Sequence, residues 1–174
     1  MDQTLRKFMA AATLIAASTA VPAAAQITGT IEAKLVLTST CTINTAVFTG
    51  TAPHPTATYS ALDFGTTTTA FTQIDGSTSL SYTCSEGSAP KITLSGGSNP
   101  NATDRRMRLG ATSHYVSYKL YSDSSRTVDI PLDGELALSG NNTATTLTIY
   151  GRALGASGLS VGTYTDLVTV TLTL

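Results

Sequence analysis

Few side chains in this sequence are placed to do chemistry. There are two cysteines, Cys41 and Cys84, and two histidines, His54 and His114. Two Cys 43 positions apart, with no ligand set close to either, lack the spacing of a zinc site, so metal binding is the weaker reading. In an oxidising compartment a lone pair closes a disulfide instead. A loop of that length gives about 4 kcal/mol on the chain-entropy account. His54 lies between Pro53 and Pro55 in a loop, and His114 just precedes a strand pattern; both read as solvated side chains. No Ser, His and acid trio and no carboxylate pair stands out, and Asp63 and Asp166 read as turn caps. The expectation is a protein that is not an enzyme and uses no metal and no cofactor.

The elements that carry these residues begin after a leader. Arg6 and Lys7 form a basic start, Phe8 to Val21 is apolar but too short to span a bilayer, and Ala23-Ala24-Ala25 fits a signal peptidase site. Residues 1–25 are therefore expected to be a secretory signal cleaved after Ala25, a retained anchor being the alternative. That leaves 149 of the 174 residues, the size of one domain. Without Asp2, Arg6 and Lys7, the 10 Lys+Arg and 11 Asp+Glu become 8 and 10, a net charge of −2. With no basic stripe, nucleic acid is not an expected partner. Charged residues are 12 % of the chain, about half the usual share, and Thr and Ser take their places. Thr suits a half-exposed pleated surface. So few charges leave sheet edges weakly protected against association, which a polymerising protein can tolerate.

After the leader, short alternating runs are separated by Gly, Pro, Asn, Asp and Ser, the pattern of an all-β sandwich. The runs are Leu80, Tyr82 and Cys84; Ile92 and Leu94; Val116, Tyr118 and Leu120; Leu136 and Leu138; and Leu147 and Ile149 before Tyr150-Gly151. The last is Val168, Val170, Leu172 and Leu174, with Thr165, Thr169, Thr171 and Thr173 opposite. Residues 44–60 read as an irregular loop. Arg105, Arg106 and Arg108 read as a solvated basic face, and Tyr118, Tyr121, Tyr150 and Tyr164 as core and sheet-face residues.

One run stands apart. Ile27, Gly29, Ile31, Ala33, Leu35 and Leu37 fall on one face of a strand, with Thr28, Thr30, Glu32 and Lys34 opposite and Val36 breaking the rule. The final strand ends in register at Leu174, so the closing strand that a sandwich needs is sought at the other end of the chain. Residues 27–37 are either a first strand paired in their own domain or a strand given to another copy.

These residues resemble the spore coat protein U domain family, which includes the major subunits of archaic, Csu-type chaperone–usher pili of Gram-negative bacteria. The opening Ile27-Thr-Gly-Thr-Ile-Glu-Ala-Lys-Leu35 is similar to the family's donor segment, and Cys41 follows it as the family's first cysteine does. Leu62-Asp63-Phe64-Gly65 resembles its LDFG signature, and Ser79-Leu-Ser-Tyr-Thr-Cys84 the strand ending in its second cysteine. Arg106-Met107, Tyr118-Lys-Leu-Tyr121-Ser-Asp123, Tyr150-Gly151-Arg152 and Gly162-Thr-Tyr164-Thr-Asp166 match further short motifs in the family's order. A Trp-Gly common after the YxLYxD strand is missing, since the chain has no Trp, which leaves the packing of Val128–Pro131 open.

The resemblance implies an incomplete immunoglobulin-like β-sandwich lacking its final strand, completed by donor-strand complementation. It divides the chain into a signal at 1–25, a donor strand at 26–37 and a pilin domain at 38–174. It implies a secreted subunit that passes through the periplasm and polymerises head to tail into thin surface fibres for adhesion and biofilm formation. The implied partners are neighbouring copies, a periplasmic chaperone and an outer-membrane usher. The alternative is a coat protein or tip adhesin of the same fold.

Overall fold

A computed structural model describes residues 30–49 and 59–174. The expected leader, Ile27, Gly29 and His54 lie outside the described residues. Contacts divide the chain into Met1–Leu35 and Val36–Leu174. Of the first unit, residues 30–35 are described; they form no strand, and Ile31 is 96 % exposed.

The second unit is all-β, with no helix among its described residues. It opens with a hairpin of β1 (Cys41–Ile43) and β2 (Ala46–Phe48). Ile43 faces Ala46, so Asn44-Thr45 is a two-residue turn, and Asn44 takes a left-handed φ of 51°. Asn is one of the few side chains that accept this conformation cheaply. The strand Ala46–Phe48 corrects the expectation of a loop over 44–60. Three residues are too few to show an alternation. β1 pairs with β3 (Gln73–Cys84) so that Cys41 faces Cys84, and the two form the disulfide.

The remaining strands are β4 (Lys91–Leu94), β5 (Arg105–Leu109), β6 (Tyr115–Tyr121), β7 (Asp129–Ile130), β8 (Gly134–Ala137), β9 (Thr145–Leu154), β10 (Tyr164–Thr165) and β11 (Val170–Thr173). The large sheet runs β10-β5-β6-β9-β3-β1-β2, with β7 also on β6, and the small sheet runs β11-β4-β8. Every strand pair is antiparallel. Alternation sends one side chain in two to the space between the sheets. Leu80, Tyr82 and Cys84 meet Ile92, Leu138 and Leu172 in one cluster; Val116, Tyr118, Leu120 and Ile149 meet Leu94 and Ile130 in the other. The alternating runs expected from sequence are thus the core.

Residues 164–174 keep their alternation but change sheets. β10 pairs with β5 of the large sheet, and β11 with β4 of the small one. Between them, Ser95 N–H donates to the Thr169 carbonyl at 2.9 Å, and Thr169 N–H donates to Ser95 Oγ at 2.8 Å. Val128–Pro131, left open by the missing Trp, contains β7, whose Ile130 faces Leu120.

Arg105 corrects the solvated basic face. It is 2 % exposed and points into the core. Its guanidinium donates to the carbonyls of Ser95 (2.8 Å), Ile130 (2.7 Å), Leu94 (2.8 Å) and Pro131 (2.8 Å). Burial lowers its pKa, the effect expected when a cation leaves water.

Candidate functional site

An open groove of about 680 Å³ runs between the sheets. Its floor is apolar: Leu80, Ile149, Leu120, Tyr118 and Met107 from the large sheet and Leu94 from the small one. Tyr59–Phe64 forms one wall and Thr163–Val168 the other, which continues into β11 at Val170. Among the described residues β11 pairs only with β4, so its other edge has no strand beside it. An unpaired edge above an apolar trough offers main-chain hydrogen bonds and side-chain pockets to one more strand.

The first wall explains why two glycines face each other at its foot. Gly76 and Gly151 are partners across β3 and β9. A Cβ on Gly151 would come within 2.7 Å of Leu62 Cδ2 and 2.9 Å of Phe64 Cζ, and one on Gly76 within 2.7 Å of the Asp63 carbonyl. The missing side chains let the irregular 59–65 segment lie directly on the sheet. Thr78 Oγ1 donates to the Ser60 carbonyl at 2.7 Å, and Asp63 Oδ1 accepts from Gly65 N–H at 2.7 Å, the turn cap expected for Asp63. Phe64 meets Tyr118 edge to face, with ring centroids 6.0 Å apart. Replacing Gly151 by Ala is expected to push this wall outward, at a cost of about 1–3 kcal/mol, seen as a lower Tm. An unchanged Tm would show that the wall yields freely.

Asp166 holds the second wall. Its Oδ2 accepts from the Tyr118 hydroxyl at 2.7 Å, and its Oδ1 from Ser98 N–H at 2.7 Å. Burial first, and then the bond to Asp166, raises the Tyr118 pKa well above the usual phenol range, so the hydroxyl stays a donor. Asp166 therefore does more than cap a turn: it ties the C-terminal wall to the groove floor. Tyr164 adds a local clasp, donating to the Ser160 carbonyl at 3.0 Å.

The candidate donor residues stand as follows. Ile31 and Ala33 are exposed in the first unit, as is Leu35 at 81 %. Leu37, 84 % exposed, is in the second unit, and residues 36–40 form no strand there. His114 is exposed, with Nε2 3.3 Å from Ser160 Oγ. Among the described residues no three His, Cys, Asp or Glu side chains gather as metal ligands. Sequence reasoning passed over the wall at 59–64 and the Arg105 hub. The Gly76–Gly151 pair was the available signal for the first; nothing in sequence separates Arg105 from its half-buried neighbours Arg106 and Arg108.

Two sheets enclosing an apolar core that stays open along the edge of β11 define the class: an all-β sandwich with room for one more strand. The chain belongs to the Spore Coat Protein U domain family, whose model matches residues 27–171. Among solved structures it is similar to the CsuC–CsuE chaperone–tip adhesion subunit pre-assembly complex from archaic chaperone-usher Csu pili of Acinetobacter baumannii. That similarity has 18 % identity and a TM-score of 0.45, covering 78 % of this chain and 40 % of the other. No curated protein matches the chain.

Proposed function

We propose that this chain is a pilus-type subunit that polymerises by donor-strand exchange, residues 27–37 of one copy filling the groove of the next. The observation that carries the reading is the groove itself, an apolar trough beside the unpaired edge of β11. The segment suits it in kind. Ile27, Ile31, Leu35 and Leu37 present four large apolar side chains at strand period, and Gly29 and Ala33 leave space between them. At 1.5–3 kcal/mol for each fully buried side chain, the four supply roughly 6–12 kcal/mol as an upper bound.

Each copy gives one strand and receives one at a different surface. Such an interface is heterologous and builds an open fibre. An uncovered groove of this character would aggregate before assembly, so a chaperone lending a strand in the periplasm fits the reading, with an outer-membrane usher as the place of exchange. The product is a surface fibre serving adhesion and biofilm formation.

A peptide of residues 27–37 tests the fit. Added to a chain lacking residues 26–37, it is expected to bind one to one and to raise the Tm. At about 100 times Kd the gain is roughly 2.7 kcal/mol. The same peptide with Ile31→Asp and Leu35→Asp is expected to give no rise. Equal stabilisation by the two peptides would sink the proposal.

A further inference from the structure

The outer face of the large sheet, turned away from the groove, carries a charge pattern that strand exchange does not use. Of the eight Lys and Arg among the described residues, five stand on this face. β5 contributes Arg106 and Arg108, β6 Lys119 and β9 Arg152; Arg126 reaches over from the β6–β7 connection to lie 5.6 Å from the Tyr150 ring. Alternation puts them together. In β6, Val116, Tyr118 and Leu120 face the core, so Tyr115, Lys119 and Tyr121 face out. In register, Arg108 is opposite Tyr115, and Lys119 is opposite Arg152.

Two acids pair with cations on this face, and Asp104, one step before β5, alternates to the same side as Arg106 and Arg108. Asp75 holds Arg152 at 2.8 and 3.0 Å and Arg126 at 3.4 Å, and Asp129 lies 3.5 Å from Lys119. Arg106 and Arg108 hydrogen-bond to backbone carbonyls instead. Arg106 Nε donates to Asn99 at 3.0 Å; Arg108 donates to Thr112 at 2.6 Å and Ala111 at 2.8 Å. Carbonyls orient a guanidinium without cancelling its charge. Nη1 of both arginines has no hydrogen-bond partner among the described residues. The face is thus net positive in a chain that is net negative. The Lys119–Arg152 pairing sets like charges directly opposite, an arrangement that costs sheet stability. The outer face of the small sheet differs: its Lys91 is paired to Glu135 at 3.1 Å among Thr93, Thr171 and Thr173.

We propose that this face binds a linear anionic polysaccharide bearing carboxylates, laid across β9, β6 and β5. Neighbouring strands lie about 4.8 Å apart, so a polymer crossing them meets cations from successive strands. A guanidinium with free N–H groups engages a carboxylate through paired, charge-assisted hydrogen bonds. Single-stranded nucleic acid fits less well, because base binding needs open aromatic faces. Here Arg106 lies 4.2 Å over Tyr115 and Arg126 5.6 Å from the Tyr150 ring, so among the described outward tyrosines Tyr121 alone has no cation over it, too few for a run of stacked bases. The site lies outside the groove and does not depend on polymerisation.

Binding of the purified full chain to immobilised polygalacturonate tests this, with dextran and single-stranded DNA alongside. The expected result is binding at low salt that weakens steeply toward physiological salt, with none to dextran. The double variant Arg106→Glu, Arg108→Glu is expected to lose about tenfold or more in affinity, while Arg106→Lys, Arg108→Lys, which keeps the charge but not the paired donors, is expected to fall between the parent and the Glu variant. Should the Glu variant misfold, Lys119→Glu takes its place, with a smaller loss in the same direction. No binding by the parent chain at low salt, affinity indifferent to these charge reversals, or tighter binding to DNA than to polygalacturonate would each overturn the proposal.

Discussion

A chain lacking residues 26–37 is expected to keep its fold and disulfide, to receive a strand, and to form no polymer. With chaperone and usher present, the parent chain is expected to give a ladder of SDS-resistant species that collapses on boiling; the shortened chain is expected to give monomer alone. The physical reason is that donor and groove are separate surfaces. The core of the second unit draws on residues from Cys41 onward, and none of its buried members precedes that cysteine. Removing the segment therefore deletes the roughly 6–12 kcal/mol of apolar burial available to the interface and takes nothing from the core clusters. Mixing sharpens the test. A shortened copy can accept a strand but cannot give one, so added to parent chain it is expected to terminate fibres and shorten them in proportion to its share. High-order polymers formed by the shortened chain alone would show that residues 26–37 are not the donor.

Sequence periodicity made most of the sandwich legible, and its failures have physical causes. Leu80, Tyr82 and Cys84, or Val116, Tyr118 and Leu120, alternate because each strand has one face on the core, and burial follows the pattern residue by residue. β2 and β7 were invisible because two or three residues cannot show a period. The wall at 59–64 was invisible for another reason. It is irregular chain held by tertiary contacts, and the Gly76–Gly151 gap that seats it joins positions 75 residues apart. The LDFG and YGR signatures proved to be two sides of that one contact, since Leu62 and Phe64 rest on Gly151. The YxLYxD and GxYxD motifs meet likewise, through the Tyr118–Asp166 hydrogen bond. Short motifs in a fixed order thus mark the two walls of the groove, although none of them shows a groove by itself.

Arg105 is the case in which residue type misleads, and it supports the second large expected effect. Arg105→Met is expected to destabilise the domain by about 3–5 kcal/mol, a fall in Tm of roughly 10 °C or more. Met can replace much of the side-chain volume but none of the donors. The carbonyls of Leu94, Ser95, Ile130 and Pro131 would lose the group that gathers them, and a buried acceptor left without a donor costs about 1–3 kcal/mol. The damage would reach the groove. Leu94 is part of its floor, and Ser95 is hydrogen-bonded to Thr169, just before β11. Loss of Arg105 is therefore expected to weaken binding of the 27–37 peptide as well as to lower the Tm. Arg105→Lys, which keeps the charge but not the fork of donors, is expected to fall between parent and Met. Thermal unfolding of the three chains with and without peptide is the measurement. If the Met variant melts within about 2 °C of the parent, solvent or relaxation satisfies those carbonyls, and the guanidinium is not what fixes the rim.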